Sequence, residues 1–223
     1  MSDFRKQWII FSCFLCYIVC ICDMAVLYHF AGKFPGYSHL SDLISELGSN
    51  ASPVSSLFST WWIIAGILFM IFASGFYYSF RKEGKAAGIA AWLIILYALG
   101  DCIVSGIFKD DHFHGGSLTM ASKIHVVIGG IGIFALVAFP LSMQKIYTRK
   151  RDSNFYYFSW VVFYMSILMC LLLGFRYYDA GYLTDLQGLW QRIMLIGFYI
   201  YFIIIATMML KRSRLSDKKV SDT

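Results

Sequence analysis

The chain has 223 residues, of which 59% are hydrophobic and 14% are charged, whereas soluble proteins have roughly 45–50% and about 25%. This composition excludes a soluble globular protein, a disordered chain and a nucleic-acid-binding module. Six cysteines in 223 residues are too few for a disulfide-stabilised scaffold. An integral membrane protein is the class that remains, and the formal net charge of +6 then indicates contact with anionic lipid and no nucleic-acid partner.

Six stretches are long and apolar enough to cross a hydrocarbon core of about 30 Å, which takes roughly 20 helical residues. Runs such as 61–73 are apolar on every face, unlike the alternating strands of a membrane barrel. The predicted spans are 8–31, 57–80, 86–108, 123–144, 155–175 and 189–210. The sequence therefore predicts an all-α integral membrane protein whose six transmembrane helices form three hairpins. Residues 1–223 are a single domain in this prediction, and 211–223 form a basic cytoplasmic tail.

The basic residues divide unequally between the two sides of the predicted topology. Fourteen of the 19 lie near the termini or in the connections after the second and fourth spans. The other side holds Lys33, Lys109, Lys123, Arg176 and Arg192. Because the side richer in Lys and Arg is normally cytoplasmic, both termini are predicted to be cytoplasmic, in a plasma membrane such as the bacterial inner membrane.

Most other ionisable residues collect on the side that is predicted to face outward. All five histidines lie there, with eight of the 13 acids: Asp23, Asp42, Glu46, Asp101, Asp110, Asp111, Asp179 and Asp185. Asp23 and Asp101 fall inside predicted spans, where a central Asp costs about 2.5–3.5 kcal/mol, so each is expected to have a partner. The alternative is that outer loops merely hold the polar residues of a chain that keeps Lys and Arg inside.

The loop after the first span has the pattern of a short amphipathic helix over 38–48, capped by Ser38 or Ser41 and ended by Gly48. Its apolar stripe consists of Leu40, Leu43, Ile44 and Leu47. The opposite face carries His39, Asp42 and Glu46. Such a helix is expected to lie at the membrane surface, where its polar face either lines a site or is simply solvated.

The loop after the third span is dense in acids and histidines. Its 109–116 stretch reads KDDHFHGG, and His125 follows in the first turns of the fourth span. His112, His114 and His125 would supply three nitrogen ligands and leave an open position, as catalytic zinc requires. The loop lacks a His-Glu-x-x-His motif, and a buried histidine hydrogen-bonded to a neighbouring span is the alternative for His125.

Arg192 opens the sixth span, directly after Gln191, with an apolar run behind it. Its guanidinium has three possible uses. It can snorkel to phosphates at the interface, pair with Asp101 or Asp111, or hold the phosphate or carboxylate of a bound ligand through its bidentate fork.

Several short motifs follow one another in a characteristic order along nearly the whole chain. They are Ile44-Ser45-Glu46-Leu47-Gly48, Ser52-Pro53, Phe108 with Asp111, His125 at the start of the fourth span, and Gln191-Arg192 at the start of the sixth. In this order the chain resembles a family of small bacterial and archaeal multi-pass membrane proteins, domain of unknown function 998, although Lys109 replaces the proline of that pattern. The resemblance implies a six-span fold and no particular activity. It also implies that five residues belong together: Ser45, Glu46, Asp111, His125 and Arg192.

These features predict an outward-facing polar pocket at headgroup depth that binds or processes a lipid headgroup or a small anionic ligand. The predicted ligand-binding residues are Arg192, Ser45, Asp101 and Gln191. The candidates for catalysis are His125, Asp111 and Glu46, since a histidine with a carboxylate suits acid–base hydrolysis or transfer, with or without a divalent metal such as zinc. Membrane lipid is the predicted partner, and the oligomeric state is left open.

Two alternatives to this pocket remain open. A transporter or permease subunit is disfavoured, because the inner halves of the spans carry almost no ionisable groups. A structural or partner-binding membrane protein would have no catalytic site, and its outer acids and histidines would be ordinary loop residues.

Overall fold

The computed structural model describes residues 3–110, 119–174 and 182–221, and this part of the chain contains helices and no strand. Six helical segments in it are long and apolar enough to cross a membrane. Their bounds are Asp3–Ala31, Ser55–Glu83, Lys85–Ile107, Met120–Ile146, Ser153–Gly174 and Gln187–Arg214. These segments confirm the six spans that hydropathy predicts, with most ends extended by a few residues.

In chain order the helices are α1 (Asp3–Ala31), α2 (Ser55–Phe80), α3 (Lys85–Tyr97), α4 (Ser105–Ile107), α5 (Met120–Ile146), α6 (Ser153–Gly174), α7 (Tyr182–Asp185) and α8 (Gln187–Ser221). A π-helical segment, Ala98–Val104, joins α3 to α4, so these three pieces form the third span. The start of α5 is capped by Thr119, whose hydroxyl oxygen accepts a hydrogen bond from the Ser122 amide at 3.1 Å.

Aromatic side chains fill the middle of the bundle. Phe202 of α8 lies 5.4 Å from Phe69 of α2 and 5.5 Å from Phe139 of α5, measured between ring centroids. The Tyr201 ring stacks on Phe155 of α6 at 5.4 Å. Such pairs contribute about 0.5–1.5 kcal/mol each beyond the burial of their area. They fix α8 against three neighbouring helices.

The end of the bundle where α1 begins and α8 finishes, here called the tail end, is held by an ion cluster. Glu83 accepts hydrogen bonds from Arg151 at 2.9 and 3.1 Å, and its carboxylate lies 2.9 Å from the Arg212 guanidinium. Arg212 also lies over the Phe80 ring and Arg5 over the Tyr78 ring. Both the start of α1 and the end of α8 are therefore at one end. Its location on the cytoplasmic side stays a prediction.

The opposite end, here called the head end, includes the loop between α1 and α2. The helix predicted over 38–48 is wrong in its first half, since only Ile44–Gly48 forms a helical turn, of 3₁₀ type. Asp42 Oδ2 accepts from the Ser38 amide at 2.7 Å, and Ser38 Oγ accepts from the Leu40 amide at 3.3 Å. These local side-chain hydrogen bonds satisfy backbone donors in a turn and so compete with helix formation.

Candidate functional site

A cavity of about 320 Å³ lies at the head end, between α1, α2, the third span, α5, α6 and α8. This volume falls in the range of about 300–1,000 Å³ that is usual for ligand pockets. Apolar side chains form most of its wall, including Trp62, Ile133, Phe134, Leu173, Met194 and Leu195. The space can therefore accept an apolar group.

The ionisable part of the lining is acidic. It consists of Asp23, Asp101, Asp110 and His125, apart from phenol and thiol groups. No Lys or Arg lines the cavity within the described ranges. The electrostatic character of the site therefore comes from carboxylates and one imidazole.

Asp23, on α1, is fixed by two neutral donors. Trp61 Nε1 donates to Asp23 Oδ1 at 2.6 Å, and the Tyr199 hydroxyl donates to Oδ2 at 2.7 Å. The Asp23 residue is only 4% exposed. The expected partner of this intramembrane acid is thus present, and it is a pair of aromatic hydrogen-bond donors from α2 and α8 instead of a basic residue.

Asp101 lies in the middle of the π-helical segment and faces the same cavity. Its carboxylate forms no hydrogen bond or ion pair with any other residue that the structure describes. In proteins, π-helical turns occur frequently at functional sites. Asp101 is therefore the carboxylate that is available to a bound molecule, whereas both oxygens of Asp23 already accept a hydrogen bond.

Close backbone contact with α5 positions the segment that carries Asp101. A Cβ atom added at Gly100 would lie 2.5 Å from the Ile128 carbonyl oxygen, and one added at Gly132 would lie 2.6 Å from the Asp101 amide nitrogen. Because neither position has space for a methyl group, the two glycines allow the third span and α5 to touch backbone to backbone. The position of Asp101 depends on this contact.

His125, on α5, is oriented by the end of the third span. Its Nδ1 atom lies 2.8 Å from the Phe108 carbonyl oxygen. A carbonyl only accepts, so Nδ1 carries the hydrogen and Nε2 of the neutral ring is an acceptor. No described residue bonds to Nε2. The alternative for His125, a hydrogen bond to a neighbouring span, is thus present, and the imidazole lines the cavity as well.

Arg192 holds the loop after α1. Its Nη1 atom donates to the carbonyls of Gly188 at 2.7 Å and Asp42 at 3.0 Å, its Nη2 to the Tyr37 hydroxyl at 2.6 Å, and its Nε to His39 Nδ1 at 3.2 Å. Arg192 is 4% exposed and is not a lining residue of the cavity. These contacts favour a structural role for the guanidinium, so its predicted role in binding a ligand stays a prediction.

The same contacts set the ionisation of the loop. Burial raises the pKa of Tyr37 to about 12, and the adjacent Arg192 charge offsets part of this rise. Burial and the positive charge of Arg192 lower the pKa of His39 below its ordinary value. His39 is therefore neutral at neutral pH, as its acceptor role toward Arg192 requires.

Three other predicted site residues lie in or beside the same loop. Gln191 and Ser45 line the cavity, and Gln191 Oε1 also accepts from the Ile44 amide at 2.7 Å. Glu46 Oε1 accepts from the Leu43 amide at 2.9 Å, and Glu46 is not among the described lining residues. The structure thus brings Ser45, Gln191, Asp101 and His125 around one space and leaves Glu46 and Arg192 outside its wall.

Two of the three predicted zinc ligands, His112 and His114, lie outside the described residues, and so does the candidate catalytic residue Asp111. Within those residues, no three His, Cys, Asp or Glu side chains are grouped as metal ligands. Zinc binding and a catalytic role for Asp111 therefore stay predictions.

Sequence reasoning missed the partners of Asp23. The side chains of Trp61 and Tyr199 are mostly apolar and carry one polar atom each, so a hydropathy pattern does not mark them as hydrogen-bond donors. A signal was nevertheless present, since a buried acid in a span needs donors and these aromatic residues are suitable donors. For the π-helical segment, the Gly100-Asp101 pair is the one feature of the sequence that sets it apart from the rest of the span.

Comparison with known proteins adds a family assignment. The family model described as "Protein of unknown function (DUF998)" matches residues 17–208. No curated protein and no solved structure matches the chain. The matched region begins within the first span and ends within the sixth, so it includes the whole cavity lining. The chain therefore belongs to the DUF998 family, functionally uncharacterised proteins, and has a multi-pass membrane architecture.

Proposed function

We propose that this protein binds an amphipathic small molecule in the head-end cavity, with the polar group of that molecule donating hydrogen bonds to Asp101. The observation that carries the proposal is the lining: apolar walls with carboxylates and an imidazole, and no basic side chain among the described residues. Sites of this kind, with a few polar groups in an apolar pocket, are typical of small-molecule binding.

The charge of the lining favours a cationic or neutral polar group over an anionic one. A carboxylate or phosphate group has no hydrogen to donate to an acceptor oxygen of Asp101, whereas an ammonium or hydroxyl group has one, and an ionised Asp101 would also repel an anion. The anionic ligand expected from the sequence depends on Arg192, whose guanidinium is occupied by the loop after α1. An ammonium or hydroxyl group is the better complement to this cavity.

Two acceptors are available to such a group. Asp101 offers a carboxylate that no described residue occupies, and His125 offers Nε2. Asp23, held by Trp61 and Tyr199, contributes a fixed part of the wall. For acid–base chemistry, a pairing of His125 with Asp101 has more support than a pairing with Glu46, because Asp101 lines the cavity with His125.

The test uses the full chain in lipid nanodiscs and three probes with the same alkyl chain: dodecylamine, dodecanol and dodecanoate. A molecule that binds the folded state raises the unfolding temperature as its concentration exceeds Kd. We expect dodecylamine and dodecanol to raise the Tm in a saturable manner and dodecanoate to have no such effect.

Asp101→Asn keeps the size of the side chain and replaces its carboxyl group with an amide, which cannot ionise. We expect it to weaken dodecylamine binding at least tenfold and to leave dodecanol binding less affected. Asp185→Asn is the matched control, because Asp185 is an exposed acid near the start of α8 and outside the described lining. Equal stabilisation by dodecanoate, or unchanged amine binding in Asp101→Asn, would overturn the proposal.

A further inference from the structure

We infer that the ligand is a membrane-resident amphiphile that reaches the cavity from the bilayer, between the head-end halves of α5 and α6. This inference rests on the proposed function, to which it adds the source of the ligand and its path. Three observations support it. Exposed apolar residues of α5 line the cavity, the end of α6 beside the cavity has few buried residues, and buried residues of the loop after α1 cover the cavity on another side.

The α5 side of the wall reaches the surface of the bundle. Phe134 lines the cavity and is 66% exposed. Val126, about two turns earlier on α5, also lines it and is 39% exposed. Gly130 lies between them, and a Cβ atom added there would meet no atom within 4 Å. In a membrane-spanning helix, these exposed apolar positions face lipid, so one strip of α5 borders both the bilayer and the cavity.

The α6 side of the wall is held most firmly in its tail-end half. There Phe155 stacks on Tyr201, and Ser159 Oγ lies 2.7 Å from the Tyr201 hydroxyl. Past Met169, the described residues of α6 include none that is buried, and Leu173 and Gly174 line the cavity. In the apolar stretch of the α6 span only 22% of the residues are buried, against 39–44% in the other five spans. The part of α6 after Met169 therefore separates the cavity from lipid and is held by partly buried side chains only, among them Cys170, whose Sγ lies 3.8 Å from Met194 Sδ.

On the side of the loop after α1, the cavity is covered by apolar side chains. Leu43 and Ile44 line it and are 5% and 3% exposed. Gln191 fixes this cover by accepting a hydrogen bond from the Ile44 amide at 2.7 Å. The cavity is thus bordered by exposed apolar residues where α5 faces the bilayer. Where Leu43 and Ile44 cover it, the cavity is closed by buried residues.

These observations specify the orientation of the ligand. Its polar end lies at Asp101, near the third span, and its alkyl chain runs between α5 and α6 toward lipid. A molecule with a single alkyl chain and an amine or hydroxyl end fits this arrangement, because the carboxylate and the apolar strip lie on different walls of one cavity.

Photo-crosslinking tests the path. The probe is dodecylamine with a diazirine at the far end of its chain, added to the full protein in nanodiscs and mapped by mass spectrometry. We expect crosslinks in 126–134 of α5 and 168–174 of α6. Crosslinks confined to 37–48, in the loop after α1, would overturn the lateral path.

A second arm measures association rates. Gly130→Phe places a ring in the strip between α5 and α6, and we expect it to slow dodecylamine association at least tenfold. Gly88→Phe is the matched control, since a Cβ atom at Gly88 of α3 also meets nothing within 4 Å and Gly88 is not a lining residue. Equal rates in the two variants would contradict the inference.

The outcomes separate this inference from the proposed function. If Asp101→Asn weakens amine binding while the crosslinks lie in the loop, the cavity binds the amphiphile and the lateral path is wrong. If Asp101→Asn has no effect, the proposed function fails, whatever the crosslinks show.

Discussion

At the scale of single residues, the clearest assignment concerns Arg192. Three hydrogen bonds from one buried guanidinium join the start of α8 to a loop about 150 residues earlier in the chain, and a fourth stays within α8. Hydrogen bonds to charged groups contribute about 1.5–3 kcal/mol each, and removing one partner leaves the others unsatisfied. Arg192 therefore determines where the loop lies, and through Leu43 and Ile44 it determines one wall of the cavity.

We expect Arg192→Gln to lower the free energy of unfolding by about 2–4 kcal/mol and to release residues 37–44. Hydrogen exchange of the loop amides, with thermal unfolding, measures both effects. Arg214→Gln is the control, because Arg214 is exposed on the same helix at the tail end. If loop protection were unchanged and dodecanoate binding fell instead, Arg192 would be a ligand-binding residue, as the sequence predicts.

His39 gives the loop a pH dependence. Its Nδ1 atom accepts from Arg192, and its pKa is lowered by burial and by the Arg192 charge. The released loop therefore binds a proton more readily than the docked loop does. Docking is complete above the ordinary histidine pKa of about 6.5 and weakens as the pH falls below it. Tyr37 stays neutral throughout this range, since its pKa is raised to about 12.

We expect loop protection, corrected for intrinsic exchange rates, to decrease between pH 7.5 and pH 5. His39→Asn retains an acceptor atom that does not titrate in this range, so the decrease should disappear in this variant. A decrease of the same size in His39→Asn would assign the pH dependence to another group.

At the scale of elements, the contact between the π-helical segment and α5 has the largest effect on the site. Gly100 and Gly132 bring two backbones together, and this contact positions Asp101. A side chain at either glycine would push the two backbones apart and would shift the Asp101 carboxylate from its present place in the cavity wall.

We expect Gly100→Ala to destabilise the fold by about 1–3 kcal/mol, as overpacking does, and to reduce the preference for dodecylamine over dodecanol. Thermal unfolding and probe titration measure the two effects. Gly88→Ala is the control, since its added methyl group has open space. A variant with normal stability and normal preference would show that the contact does not position Asp101.

The sequence predicts elements of this protein better than it predicts the site. Long apolar runs identify the spans, because every backbone polar group in lipid must be bonded within the helix. The helix predicted over 38–48 fails at Ser38 and Asp42, whose side chains bond local amides. Contacts such as Arg192 with Asp42, or Asp23 with Tyr199, join positions far apart in the chain and leave no periodic pattern to detect.

At the scale of the whole molecule, the cavity occupies only one end. Phe69, Phe139 and Phe202 are fully buried between it and the tail end. A transported solute would have to displace this aromatic packing, so the transporter alternative has less support than binding at the head end. The structural and partner-binding alternative stays open to the probe experiments.

The charge distribution predicts that the tail end lies in the cytoplasm. In a bacterial host, we expect a fluorescent protein fused after Thr223 to fluoresce and an alkaline phosphatase fused there to be inactive. The phosphatase inserted beside Asn50, which is exposed in the loop after α1, should be active. Active phosphatase at the C-terminus would reverse the topology and place the cavity on the cytoplasmic side.

The Glu83 cluster at the tail end has a mechanical consequence. It joins the connection after α2, the segment before α6 and the end of α8, which are otherwise distant in the chain. At the other end, the described residues of α6 past Met169 include none that is buried, so we expect α6 to be more mobile there than at its start. Because Leu173 and Gly174 line the cavity, we expect a molecule bound there to reduce the mobility of this end of α6.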